Sequence, residues 1–238
     1  MNGIVIVNKP KGITSYDVIR FFKRTFRLKE KIGHAGTLDP LACGVLIVCM
    51  GNATRASSLF MKMEKEYEAM LLLGVSTDTD DIDGQVIEEK EVDVTPDEVL
   101  ETVSLFKGKI EQVPPVVSAI KQKGSPLYKL HRKGVAVSPQ PRTVFVREIE
   151  VTGMNLPYVD FRVACSKGTY IRALCRDIGN RLGCGGTQVE LKRTKVGDYG
   201  IEESFTLEDI EERGIANCLI PISGINAAAT NTKKSREL

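Results

Sequence analysis

The sequence predicts an α+β fold built on a mixed, mainly antiparallel central sheet with flanking helices. Stretches with strand character outnumber those with helical spacing, and they do not alternate regularly with helices as βαβ repeats would. The 238 residues are 42% apolar and 27% charged, the composition of a soluble globular protein with enough apolar material for a sizeable core.

Taken in order, Ile4-Val5-Ile6-Val7 is a short apolar run suited to a buried strand, and Lys9-Pro10-Lys11-Gly12 reads as the turn that ends it. Thr14 or Ser15 caps a helix to about Phe26, with Val18, Ile19, Phe22 and Phe26 inward. Arg20, Lys23, Arg24 and Arg27 on its outer side offer phosphates a basic face. Residues 33–44 read Gly33-His34-Ala35-Gly36-Thr37-Leu38-Asp39-Pro40-Leu41-Ala42-Cys43-Gly44, too rich in Gly and Pro for a helix, and form a loop feeding a strand at 45–50. Pro40 pushes Asp39 out of the α region, so its carboxylate sits on an extended backbone of restricted freedom. Taken alone, the Asp-Pro pair is also an ordinary turn.

Residues 52–60 are expected to form a short helix. Residues 65–73 alternate as a strand, with Tyr67, Ala69 and Leu71 on one face. The acidic run 78–84 suggests a calcium loop, but placing Gly84 at the sixth position of an EF-hand puts Lys90 where a bidentate Glu is required, so a polar hairpin connection is expected instead. Thr95-Pro96-Asp97-Glu98 is a capped helix start, with Val99, Val103 and Phe106 inward and Gly108 stopping it.

Residues 114–142 are rich in Pro, Gly, Ser and Lys, with one short helical pattern at 127–132 ended near Gly134; a connection of that length is functional or disordered. Residues 143–152 and 159–165 read as paired strands around a connection at 153–157. Tyr170-Ile171-Arg172 forms a strand-to-helix corner, with Ile171, Leu174, Ile178 and Leu182 on the inner side of the helix. By position alone Arg172 is a surface helix arginine. Residues 188–196 alternate Val189, Leu191 and Arg193 as a strand, and Thr206 starts a last short helix.

The net charge of +2 hides segregation: residues 9–31 hold eight Lys or Arg against two acids, residues 112–147 seven against none, and residues 64–101 fourteen acids against two bases. Basic segments flanking a Gly-rich loop point to a polyanion partner. The six cysteines form no C-x-x-C pair and neither histidine lies at ligand spacing, so reduced thiols and no metal are expected. There is no apolar run of membrane-spanning length and no signal-peptide pattern, which makes the cytoplasm the expected location.

The segment 33–44 resembles the catalytic loop of the TruB-type tRNA pseudouridine synthases, Gly-His-x-Gly-x-Leu-Asp-Pro-x-Ala-x-Gly. Lys9-Pro10-Lys11-Gly12-Ile13-Thr14-Ser15, Lys65-Glu66-Tyr67, Leu73-Gly74 with Thr77-Asp78-Thr79-Asp80, Pro114-Pro115 with Ser118-Ala119, Ser166-Lys167-Gly168-Thr169-Tyr170-Ile171-Arg172 and Leu182-Gly183-Cys184-Gly185 are similar to further family segments, in order across roughly residues 4–222.

The resemblance implies the pseudouridine synthase fold over 1–225, of the bacterial stand-alone kind, with residues 114–142 as a basic RNA-clasping insertion and 226–238 as a disordered polar tail. Too few residues follow Ile222 for the C-terminal PUA domain that members commonly carry, so that domain is expected to be absent. The implied activity is isomerisation of the T-loop uridine at position 55 of tRNA, by a monomer that grips the T-arm stem-loop and needs no cofactor. Asp39 is then the catalytic carboxylate, acting covalently or through a glycal, and Arg172 is its ion-pair partner. Tyr67 stacks on the base, Tyr170 and Leu191 line the pocket, and His34 fills the space left by the everted nucleotide. Charge alone would suit a non-catalytic tRNA-binding module equally well, and a metal-dependent nuclease is disfavoured by the ligand mismatch.

Overall fold

The computed structural model describes residues 1–118, 120–122 and 124–222; the tail expected at 226–238 lies outside them. The chain forms two compact units, Met1–Glu66 with Lys192–Leu238, and Tyr67–Leu191.

The first unit holds β1 (Gly3–Lys9), α1 (Ser15–Thr25), β2 (Ile32–Ala35), β3 (Cys43–Met50), a 3-10 turn (Gly51–Ala56) and α2 (Ser57–Lys62), and β4 (Lys65–Leu73) carries the chain out of it. Next come β5 (Val75–Thr77), β6 (Val86–Glu89), α3 (Pro96–Ser104), β7 (Gly108–Gln112), β8 (Lys121–Gln122), β9 (Ser125–Pro126), α4 (Leu127–Arg132), β10 (Arg142–Asn155), β11 (Tyr158–Cys165) and α5 (Ile171–Arg181). Strand β12 (Gly186–Val196) leads back to the first unit, which closes with β13 (Tyr199–Gly200), α6 (Leu207–Arg213), α7 (Ile215–Cys218) and β14 (Ile220–Pro221).

In the first unit the strands run in the order β14-β1-β3-β12, with β2 also on β3 and β13 on β12. β1 and β3 are antiparallel from Gly3 opposite Met50 to Lys9 opposite Gly44, whereas β12 joins β3 in parallel at Lys192 and Arg193. The unbroken apolar runs of β1 and β3 are those of strands covered on both faces. Ile4, Ile6, Val45, Ile47 and Cys49 cluster with Phe60, Val196 and Tyr199, and Val5, Val7, Leu46 and Val48 are equally enclosed. Each such side chain contributes roughly 1.5–3 kcal/mol of burial. Thr14 caps α1 through a reciprocal pair of bonds with Asp17, and Val18, Ile19 and Phe22 are its buried side.

In the second unit the order is β4-β11-β10-β7, with β10 antiparallel to both neighbours. β4 alternates as its sequence requires, burying Tyr67, Ala69, Leu71 and Leu73. α3 begins at the Thr95 cap with Pro96 and Glu98 in place, and buries Val99 and Val103. The architecture is therefore α+β on mixed, mainly antiparallel strands.

Several expectations change. The start of the loop at 33–44 is strand: β2 gains its order by pairing with β3, His34 opposite Val48. The helix expected at 52–60 is a 3-10 turn followed by α2. β10 runs on to Asn155 because a bulge between Val151 and Gly153 takes up Thr152 and leaves Gly153 opposite Asp160, so that Leu156 and Pro157 are the connection. Helix α4 lies where its pattern placed it, preceded by the β8–β9 hairpin that the polar sequence did not signal. The helix begun by Thr206 is not the last, since α7 follows Gly214. Among the described residues no helix is long and apolar enough to cross a membrane.

Candidate active site

Asp39 is half-buried in the loop joining β2 to β3. The loop can turn so tightly because Gly36 and Gly44 take φ of 83° and 99°, a region that costs a side-chain-bearing residue about 1–2 kcal/mol. Its backbone is tied from two sides. Ser15, at the first turn of α1, uses one hydroxyl to accept from Leu38 N at 2.8 Å and to donate to Leu38 O at 2.9 Å. From β12, Arg193 donates Nε to Val45 O at 2.7 Å and its terminal nitrogens to Gly36 O at 2.8 Å and Thr37 O at 3.5 Å. Within the loop Ala42 N donates to Asp39 O at 3.1 Å, and Gly12 N donates to Pro40 O at 2.8 Å. The residue before Asp39 and those at both ends of the loop are thus fixed by groups from α1 and β12.

Two buried cations underlie this loop. Arg193 is 1% exposed, and Lys9, at the end of β1, is fully enclosed with its ammonium donating to Pro10 O at 2.8 Å and Ile13 O at 2.7 Å. Carbonyl acceptors make such burial tolerable, because an unbonded charge in a low dielectric is far more costly. Burial lowers the Lys9 pKa from 10.5 to about 8; attraction to Cys43 and to the Asp39 carboxylate opposes that fall, and repulsion from Arg193 adds to it. Asp39 therefore lies in the field of Lys9. His34, on β2, is held below its ordinary range first by burial and then by the Arg193 charge, and its Nδ1 is buried without a hydrogen-bond partner among the described residues. Its ring is neutral at physiological pH.

The second unit carries the remaining sequence-derived candidates. Arg172, in the first turn of α5, is 4% exposed, which corrects the surface position inferred from spacing. The cause is the polar hairpin at 78–84 together with residue 117: Asp81 Oδ2 lies 3.1 Å from the guanidinium, Thr79 O accepts at 3.0 Å, and Val117 O accepts at 2.9 Å. Thr79 Oγ1 donates to Asp81 Oδ1 at 2.6 Å, orienting the carboxylate. One turn along α5, Arg176 bridges Asp80 and Asp177 and donates to Val113 O. Burial raises the Asp80 carboxyl pKa, against the opposing pull of Arg176 and Arg172.

Tyr170 precedes α5 with extended backbone, φ −100° and ψ 116°. Gln112 fixes it by accepting from Tyr170 N at 2.8 Å and donating to Tyr170 O at 3.0 Å, and the Arg142 guanidinium lies 4.6 Å above the ring. Tyr67 is 9% exposed on β4, and Leu191 is half-buried on β12. Asp39 and His34 thus share the β2–β3 segment of the first unit, while Tyr67, Tyr170, Arg172 and Leu191 belong to the second.

Sequence reasoning passed over Lys9, read as a turn residue, and Ser15, Arg193, Asp81, Gln112 and Arg142. For Arg193 a signal existed: its alternation with Val189 and Leu191 put it on their face of the strand.

A family model described as TruB family pseudouridylate synthase (N terminal domain) matches residues 23–171, and one described as tRNA pseudouridylate synthase B C-terminal domain matches residues 172–217. The tRNA pseudouridine synthase B of Clostridium tetani is 51% identical over 222 residues, 93% of this chain and 76% of that one. Its counterpart in Protochlamydia amoebophila is 44% identical over 224 residues, 91% of this chain and 85% of that one. Among solved structures, a chain of a Cbf5-Nop10-Gar1 complex is 33% identical with a TM-score of 0.69, the match covering 88% of this chain and 54% of that one. A chain of an H/ACA RNP bound to a substrate RNA containing 2'-deoxyuridine is 31% identical with a TM-score of 0.67, over 88% of this chain and 52% of that one, so this chain spans about half the length of those two. With both domain models matched in order and half the residues shared with a curated member, the chain belongs to the TruB family of pseudouridylate synthases and has their fold.

Proposed function

We propose that this pseudouridylate synthase acts on tRNA and converts the T-loop uridine at position 55 to pseudouridine. The observation that carries the reading is Asp39, half-buried on a loop whose backbone is held at Gly36, Thr37, Leu38 and Val45 by Ser15 and Arg193. A carboxylate so constrained is kept near one attack geometry while a substrate can still reach it.

The reaction breaks the bond between ribose C1′ and uracil N1, turns the base, and joins C5 to C1′; the C5 proton leaves and N1 gains one. Asp39 is the group assigned to opening the glycosidic bond, by adding to the sugar or base or by assisting a glycal. His34, Tyr67, Tyr170, Arg172 and Leu191 are assigned to the everted nucleotide. A neutral His34 ring suits the vacated stack, and Tyr67 supplies a second aromatic surface. Eversion costs about a few kcal/mol, offset by stacking and phosphate contacts. Recognition then reads the shape of the folded loop more than its linear sequence.

The test is tritium release from an unmodified tRNA transcript labelled at uridine C5, with pseudouridine mapped in the product. One modified position, in the T-loop, is expected, and Asp39→Asn should slow release by at least roughly 10³-fold. Modification elsewhere would overturn the assigned position, and undiminished release from the variant would remove Asp39 from the mechanism.

A further inference from the structure

The amide of Gln112 is enclosed where its strand is otherwise open. β7 leaves its other residues partly or fully exposed, the apolar Ile110 among them, and buries Gln112 completely. Burying an amide is unfavourable unless its polar atoms are bonded. Here both ends are, and to one residue: Oε1 accepts from Tyr170 N at 2.8 Å and Nε2 donates to Tyr170 O at 3.0 Å, across 58 positions of sequence. On the neighbouring strand Arg142 stands opposite Gln112 in the β7–β10 register. Its guanidinium donates to Gly168 O and covers the Tyr170 ring. The backbone and the ring of one tyrosine are thus held from a single rung of the sheet. Beyond β7, Val113 O accepts from Arg176 at 2.8 Å and Val117 O from Arg172 at 2.9 Å, so residues 112–117 also hold the first two turns of α5.

This grip differs from that of an ordinary helix cap. A capping side chain accepts from N–H groups in the first turn of the helix. Gln112 instead takes the residue before α5 by its N–H and its C=O together. With the peptide planes on both sides of Tyr170 pinned, its two backbone dihedrals are set, and with them the direction in which the side chain leaves the chain. The ring is half-buried, so part of it stays open to a substrate.

We propose that Gln112 is a positioning residue for the reaction: by holding both backbone groups of Tyr170 it sets where that ring stands against the everted nucleotide. The proposal rests on the reading of Tyr170 as a wall of the nucleotide pocket. Gln112 itself is fully enclosed and offers RNA no surface, so its loss acts through the tyrosine.

The experiment is a double-mutant cycle. Gln112→Glu keeps an acceptor for Tyr170 N but sets a carboxylate oxygen against Tyr170 O, whereas Gln112→Met fills the space with neither group. Each is made in the intact chain and again together with Tyr170→Ala, and denaturation midpoints are measured for all. Single-turnover tritium release from a tRNA transcript labelled at uridine C5, with enzyme in excess, gives the saturating rate and the half-saturating concentration and keeps slow variants on scale. Each single change at residue 112 is expected to lower the saturating rate about 10- to 100-fold, with the half-saturating concentration within about threefold of the original. Added to Tyr170→Ala, the same changes should lower the rate by less than about threefold, because the ring through which they act is gone. Equal factors in both backgrounds would overturn the proposal, since a purely structural amide gives that result. An unchanged rate in a folded variant at residue 112 would overturn it too. If the buried Glu prevents folding, Gln112→Met decides alone. An unchanged rate for Tyr170→Ala would instead strike the reading of Tyr170 on which the proposal rests.

Discussion

Arg193 is a fully enclosed cation held by three carbonyl oxygens, and the consequences differ from those of an ordinary ion pair. A lysine there keeps the charge but has no planar fork with which to reach Val45 O and Gly36 O together. Arg193→Lys is expected to lower kcat about 10- to 100-fold with KM nearly unchanged, because it loosens the loop that carries Asp39 and touches no surface that meets RNA. Steady-state kinetics checks the split, and a rise in KM alone would contradict it. Lys9 behaves differently because it titrates. Its pKa falls from 10.5 to about 8 on folding, so between those values the unfolded chain retains a proton that the folded one has released. Stability therefore rises with pH across that window, by up to roughly 3 kcal/mol. Lys9→Met lacks the group and should lack the rise; denaturant titrations of both proteins at the two ends of the window measure the difference.

At the scale of elements, the loop that carries Asp39 depends on the close approach of β3 and β12. Gly44 has φ 99°, and a Cβ there would lie 2.2 Å from Arg193 O. Gly44→Ala is thus expected to cost at least about 3 kcal/mol, from backbone strain and collision together, read as a lowered denaturation midpoint. Elements whose evidence is local are legible in the sequence: the apolar runs of β1 and β3, the alternation of β4, and the caps of α1, α3 and α6 at Thr14, Thr95 and Thr206. β2 is not, because Gly33-His34-Ala35 has no pattern of its own and becomes a strand only by pairing with β3. The same division holds for the candidate site. Asp39 is marked by its neighbours in sequence, whereas the burial of Arg172 arises from Asp81 and Thr79 on a remote hairpin. An arginine satisfied by backbone carbonyls, as Arg193 is, has no sequence partner to betray it.

Across the whole molecule, none of the six cysteines is in a disulfide and five are buried, Cys43 alone being half-buried. Burial pushes the Cys49 thiol up to about 11 and also raises Cys175 and Cys218. Brief alkylation of the folded protein is therefore expected to label Cys43 ahead of the other five, as read by peptide mass spectrometry. Because Cys43 lies four residues past Asp39, that label should also depress turnover. Labelling spread evenly over the six would mean that the native core opens on the timescale of the reagent.

The hydroxyl of Ser15 fastens the first turn of α1 to the residue before Asp39, and a short helix is stiff along its axis. Losing that one hydroxyl would release both backbone groups of Leu38 at once and slacken the chain just ahead of the acid while leaving the acid itself intact.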